Sequence, residues 1–159
     1  MAERRKTTLI TEGTVAKNKK ANFNYAIEET IEAGIILTGA EVKSLRMGRA
    51  SINESYAGVQ EGELYLLNAS ILEYGSIGYM KHVASRPRKL LLHRREARRL
   101  IGAVARKGYT LVPLSLYFNR RGIAKVLLGL GTGKNTVDKR QDIKKRDWER
   151  EKHRLLKGG

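Results

Sequence analysis

Two stretches of this chain carry the period of a strand. From Tyr25 to Leu37 a run rich in β-branched residues largely alternates apolar with polar side chains, the spacing at which residues share one face of a strand. From Thr110 to Phe118, Val112, Leu114, Leu116 and Phe118 fall on one predicted face, and Asn119-Arg120-Arg121-Gly122 turns the chain into a partner run, Ile123 to Gly129. Gly34 predicts a bend or bulge in the first strand, and Pro113 an edge or bulge in the second. Another hairpin is predicted where Ala50 to Val59 meets Leu64 to Ala69 across Gln60-Glu61-Gly62-Glu63. A short helix is expected over Ala40 to Arg46, closed by Gly48. A clearer one is expected where Ala97, Leu100, Ile101, Val104 and Ala105 recur at helical spacing before Gly108. Tyr74 to Tyr79, with two glycines, reads as a surface loop. Many short strands, two hairpins and an intervening helix predict a mainly β chain, a small closed antiparallel barrel rather than a layered α/β sheet. Its length of 159 residues fits one body with appendages. We expect a flexible basic arm over residues 1–17, the barrel over 18–131, and a basic tail over 132–159 that is disordered when free.

Charge separates these parts further. The net charge is +16, but residues 21–80 hold three Lys or Arg against eight acidic residues, whereas residues 81–109 hold ten against one and residues 132–159 ten against five. Clustered cations suit a polyanion, because each phosphate neutralised releases counterions. Arg95, Arg98, Arg99 and Arg106 fall opposite the apolar stripe of the clearer helix, with no acidic residue beside them on that face, and so are candidates for phosphate contact. There is no cysteine, no apolar run of membrane-spanning length and no secretory leader, so a cytoplasmic protein without membrane attachment is expected.

Catalytic chemistry is not legible. His82, His93 and His153 are scattered, without metal-ligand spacing. Gly129-Leu-Gly131-Thr-Gly133-Lys134-Asn135-Thr136 fails both phosphate-loop patterns, which require glycine at position 134 in one case, and glycine at 128 with Ser or Thr at 135 in the other. Glu28, Glu29 and Glu32 could serve a metal-dependent nuclease, but neighbours on a strand point to opposite faces. No catalytic residue, metal or cofactor is expected.

Five blocks in order resemble the small protein B (SmpB) family, the SsrA-binding proteins of bacterial trans-translation. They are Asn18-Lys19-Lys20-Ala21 with Tyr25; Glu32-Ala33-Gly34 leading to Gly39-Ala40-Glu41-Val42-Lys43-Ser44-Leu45-Arg46; Arg88-Lys89-Leu90-Leu91-Leu92; Lys107-Gly108-Tyr109-Thr110-Leu111-Val112; and Gly133-Lys134 through Asp138-Lys139-Arg140 to Trp148. The resemblance implies an oligonucleotide-binding (OB) barrel with flanking helices. It also implies a non-catalytic adaptor, acting as a monomer, that binds the tRNA-like domain of transfer-messenger RNA and reaches stalled ribosomes with elongation factor Tu. A ribosomal protein or translation factor built on the same barrel is the alternative binding role.

The resemblance assigns RNA contact to Asn18, Glu32 and Leu91. An amide and a carboxylate suit base edges and 2′-hydroxyls, and a leucine suits an unstacked base. Read without it, Glu32 would be a buried strand-end ion pair and Leu91 a core residue. Lys19, Lys20, Lys43, Arg46, Arg88 and Lys89 would supply cations to the same surface. In the tail, Lys134, Asp138, Lys139, Arg140, Ile143, Lys144 and Trp148 match positions that engage the ribosome's decoding centre and message channel, where the tail becomes helical. Val137 stands where some relatives carry a stacking histidine, a contact valine cannot make.

Overall fold

The computed structural model describes residues 9–72, 84–106, 108–134 and 136–157. The expected loop at Tyr74 to Tyr79 and the first eight residues of the expected arm lie outside them. The described residues form nine strands and four helices: β1 (Gly13–Lys17), α1 (Ala21–Asn24), β2 (Tyr25–Ile35), α2 (Gly39–Arg46), β3 (Ala50–Ser51), β4 (Tyr56–Gln60), β5 (Glu63–Leu67), β6 (Ser70–Ile71), β7 (Arg88–Leu91), α3 (Arg94–Ala105), β8 (Tyr109–Phe118), β9 (Ala124–Gly133) and α4 (Thr136–Lys157). The fold is mainly β, as the alternation predicts.

Seven strands join in the order β1-β8-β4-β5-β7-β2-β9, with β9 also pairing along β8. Every pair is antiparallel. Starting at β8, the pairings therefore pass through β4, β5, β7, β2 and β9 and return to β8. The link between β8 and β4 rests on Ala57 opposite Leu111, and β1 extends that same side of β8 from Gly13 opposite Phe118 to Lys17 opposite Ser115. Separately, β3 pairs with β6. Both predicted hairpins form. Glu61 and Gly62 take positive φ in the tight β4–β5 turn, the geometry whose twist matches the flanking strands. In the β8–β9 turn the Asn119 side chain accepts from the backbone N–H groups of Arg121 and Ile123.

Leu111, Leu116 and Phe118 of β8 meet Val126, Leu128 and Leu130 of β9, Ile31, Ala33 and Ile35 of β2, and Leu64 and Leu66 of β5 in the core. This corrects the single face predicted for β8. A bulge between Pro113 and Ser115 shifts the alternation by one residue, so Leu111 shares the core with Leu116 while Leu114 does not. Leu114 packs with Ile27 over Gly129, where a Cβ would come within 3.1 Å of both side chains. In β2 the bulge lies between Ile27 and Glu29 rather than at Gly34. Gly34 instead marks where β2 acquires a second partner: it sits opposite both Lys125 and Leu91, and a Cβ there would be 3.1 Å from that of Leu91.

Two expectations at the termini change. Gly13–Lys17, placed in the flexible arm, is strand β1. Residues 136–157, placed in a tail disordered when free, form helix α4. That segment contains no glycine or proline and is dominated by Lys, Arg, Glu and other strong helix formers, so propensity favours a helix where no apolar stripe announces one.

Candidate nucleic-acid interface

The edge where β2 meets β7 brings two predicted contact residues together. Gly34 faces Leu91 across the strands, which sets Leu91 beside the stretch of β2 that carries Glu32. Leu91 is 49% exposed and Glu32 is exposed as well, so neither is the core residue or buried ion pair that strand pattern alone would suggest. The Tyr117 hydroxyl donates to Glu32 Oε2. A cleft of about 380 Å³ opens here, lined by Glu32, Leu91, Leu92, His93, Glu96 and Lys125. On the other side of Leu91 a groove of about 360 Å³ has Leu90, Leu92 and Ile101 in its lining together with Lys89, Arg94 and Arg98. Leu91 thus lines both a recess holding Glu32 and Glu96 with Lys125 and a groove holding Lys89, Arg94 and Arg98 with Glu63. Apolar surface for a base, acceptors for its edge and cations for phosphate are the three things single-stranded RNA recognition asks of a protein.

Arg88 does not belong to this surface. Its side chain is wholly buried; Nε bonds to Glu41 Oε2, and its remaining donors reach the carbonyl oxygens of Ala69, Arg86 and Ala84. Alternation along β7 is the physical reason for this correction. Arg88 and Leu90 point inward while Lys89 and Leu91 are accessible, so the cluster Arg86-Pro87-Arg88-Lys89 is not one basic patch. Glu41, also buried, caps α2 through reciprocal bonds with Thr38 and accepts from Arg86 and Arg88. Burial would raise its pKa; hydrogen bonds from the Thr38 backbone, Arg86 and Arg88 overcome this and hold it below the usual carboxylate value. The Glu-Val-Lys-Ser-Leu-Arg block thus has a structural inner side, Glu41, Ser44 and Leu45, and an outer side carrying exposed Lys43 and Arg46.

Lys89 is accessible and pairs with Glu63 at 2.9 Å. Arg95, Arg98 and Arg99 on α3 and Arg106 just past its end are exposed, but the absence of an acidic partner does not hold for Arg99. Glu29 of β2 takes both its Nη groups, at 2.8 and 2.7 Å, a pairing 70 residues apart that sequence spacing hides.

Asn18, followed by Lys19 and Lys20, meets β8 at Pro113 and Leu114, before the Tyr117 end that reaches Glu32. The Asn18 backbone N–H donates to the Leu114 carbonyl at 2.9 Å and its Nδ2 to that of Pro113 at 3.1 Å, in the bulge. The residue is buried, with Oδ1 unpartnered among the described residues, while Lys19 and Lys20 are exposed. Next to them α4 meets α1: the Arg146 guanidinium lies 5.0 Å from the Phe23 ring centroid, and Lys19, Phe23, Lys134, Lys145 and Arg146 share a recess of about 370 Å³. Along α4, Arg140, Lys144 and Trp148 recur every fourth residue on one face and are exposed, as is Ile143. The side chains of Asp138 and Lys139 lie outside the described ones.

Among the described residues, no group of three or more His, Cys, Asp or Glu could hold a metal, and no helix is long and apolar enough to cross a membrane. A mainly β body that sets accessible cations around one exposed leucine and one exposed carboxylate has the make-up of an RNA-binding module. Comparison with known proteins agrees. The family model "SmpB protein" matches residues 15–158. The SsrA-binding protein of Acidiphilium cryptum is 55% identical over 157 residues, covering 99% of each chain, and that of a Bradyrhizobium species is 59% identical over 142 residues, covering 89% of this chain and 90% of its own. A solved chain described as "tmRNA-SmpB: a journey to the center of the bacterial ribosome" is 53% identical, with a TM-score of 0.62 over 76% of this chain and 84% of that one. The chain belongs to the SmpB family, RNA-binding adaptors rather than enzymes.

Proposed function

We propose that this protein binds the tRNA-like domain of transfer-messenger RNA and carries it to stalled ribosomes for trans-translation. The observation that carries the reading is the exposure of Leu91 beside Glu32, since a leucine and a carboxylate held accessible at one strand edge suit an unstacked nucleotide. The kinship supports the partner: relatives at 55% and 59% identity are SsrA-binding proteins. The circuit of antiparallel pairings from β8 back to β8 is then the closed OB-type barrel, with residues 18–131 as the RNA-binding body. Lys19, Lys20, Glu32, Lys43, Arg46, Lys89 and Leu91 form the RNA surface, Asn18, buried against the β8 bulge, underlies it at Lys19 and Lys20, and Arg88 holds its frame.

In this reading α4 is the ribosome-facing part. Lys134, Asp138, Lys139, Arg140, Ile143, Lys144 and Trp148 engage the decoding centre and the message channel, while the body stays on the RNA. Delivery proceeds as a cytoplasmic monomer in a complex with elongation factor Tu. Sequencing RNA that co-purifies with the tagged protein tests the proposal: transfer-messenger RNA should be strongly enriched. Ribosomal RNA dominating without that enrichment would instead favour a ribosomal protein or translation factor.

A further inference from the structure

Glu32 is an exposed carboxylate on the edge of a body, and such a side chain ordinarily samples several rotamers. Here it is held from two strands away. Leu127 of β9 pairs with Glu32 on one side and with Ser115 of β8 on the other. Tyr117, two residues beyond Ser115, sits opposite Lys125. Two inter-strand spacings, roughly 9–10 Å, separate β2 from β8, and the phenol spans them to donate its hydroxyl to Glu32 Oε2. The hydroxyl keeps its proton across any working pH, since burial and then the Glu32 carboxylate raise its pKa further above the ordinary phenol value. Among the described residues no hydrogen bond reaches Oε1, and Glu32 lines with Leu91 a cleft in which that oxygen can meet a donor.

We infer that Tyr117 is a positioning residue for RNA recognition: it fixes the Glu32 carboxylate so that its second oxygen meets an N–H or 2′-hydroxyl donor of the nucleotide seated against Leu91. This rests on the proposed RNA surface and adds a residue that none of the five sequence blocks contains. An ionised carboxylate only accepts hydrogen bonds, so orienting it selects nucleotides that present a donor in one direction. Phosphate neutralisation plays no part. Removal of the Tyr117 hydroxyl should therefore weaken binding without altering its salt dependence.

The test uses the full-length chain as wild type, Tyr117→Phe, Tyr117→Leu, Glu32→Gln and the Glu32→Gln/Tyr117→Phe double variant. Binding to the tRNA-like fragment of transfer-messenger RNA is measured across a salt series, with thermal unfolding of each protein alongside. Tyr117→Phe, which keeps the ring, should bind about fivefold more weakly at every salt concentration, with the wild-type slope and unfolding midpoint. It should add nothing once Glu32 is Gln, the non-additivity of residues acting as one unit. If Glu32→Gln weakens binding while Tyr117→Phe does not, or the two effects multiply, the inference falls and the RNA surface stands. Weakening seen with Leu but not with Phe assigns Tyr117 to packing and also overturns it. If Glu32→Gln itself binds like wild type, the reading of the RNA surface falls together with the inference.

Discussion

The Glu41 carboxylate and the Arg88 guanidinium, 47 residues apart in sequence, form an ion pair inside the body with side-chain exposures of 1% and 0%. It ties α2 to β7, the strand whose outer side carries Lys89 and Leu91. Removing one partner of such a pair strands the other in a low-dielectric interior. Arg88→Met is thus expected to cost about 3–5 kcal/mol of folding stability, read by urea unfolding. Replacing both partners with apolar residues should recover only part of that stability, because the desolvation penalty disappears with the charges but the carbonyls of Ala69, Arg86 and Ala84 and the Thr38 N–H lose their partners. RNA binding by the folded fraction of Arg88→Met should keep the wild-type salt slope.

The same carboxylate gives a pH signature. The pKa of Glu41 is lowered in the folded protein from its ordinary 4.5, so the folded state binds its proton less readily than the unfolded chain does. The stability this contributes is complete above the ordinary value and is lost as pH falls through the lower folded value. Unfolding free energy measured from pH 7 down to pH 3 should fall at the acid end. Glu41→Gln should be less stable at neutral pH and show a flatter acid limb.

Lys89 and Arg98 should behave differently from Arg88. Both are accessible on the groove beside Leu91, and removing a cation that neutralises one phosphate should reduce the salt slope of RNA binding by about 0.7–0.9. Arg98→Ala is expected to show that reduction in filter-binding titrations, and Lys89→Ala a smaller one, because Glu63 already pairs with Lys89. Arg99→Ala should show less, because Glu29 already occupies both Nη groups of Arg99. Its folding stability should stay close to that of wild type, as for other exposed pairs.

Trp148 is 64% exposed on α4, on the face it shares with Arg140 and Lys144. Trp148→Ala should leave the folding stability near that of wild type and the RNA affinity within a factor of about two, since an exposed side chain contributes little packing. It should reduce peptide tagging in a reconstituted stalled-ribosome assay. RNA affinity falling in step with tagging would merge the two roles.

Much of the fold is legible in the sequence because period-two alternation and turn chemistry are local. Tyr25–Ile35, the Glu61-Gly62 turn and the Asn119–Gly122 turn form where the residues predict them. The parts that are not legible are long-range or depend on phase. One inserted residue at Leu114 moves Leu111 into the core with Leu116, and nothing local distinguishes that bulge from an edge at Pro113. Arg88 is misplaced when a basic cluster is read as a patch, although alternation along Arg88-Lys89-Leu90-Leu91 already separates inner from outer residues. Glu41 offers a second clue: it shares a helix face with Ser44 and Leu45, and a carboxylate on a buried face needs a cation. Glu32 and Leu91 are visible through family blocks rather than through their own chemistry, and the hydroxyl of Tyr117, 85 residues from Glu32, leaves no mark in local sequence.

If RNA lies on the face carrying Lys19, Lys20, Glu32, Lys89 and Leu91 while α4 serves the ribosome, the two surfaces should separate in a single mapping experiment. The most direct is ultraviolet cross-linking of the full-length protein to the tRNA-like fragment of transfer-messenger RNA, with adducts mapped by mass spectrometry. Adducts should concentrate in peptides spanning residues 18–34 and 88–98. Adducts confined to α4, or to the β4–β5 hairpin across Tyr56 to Leu67, would contradict this division.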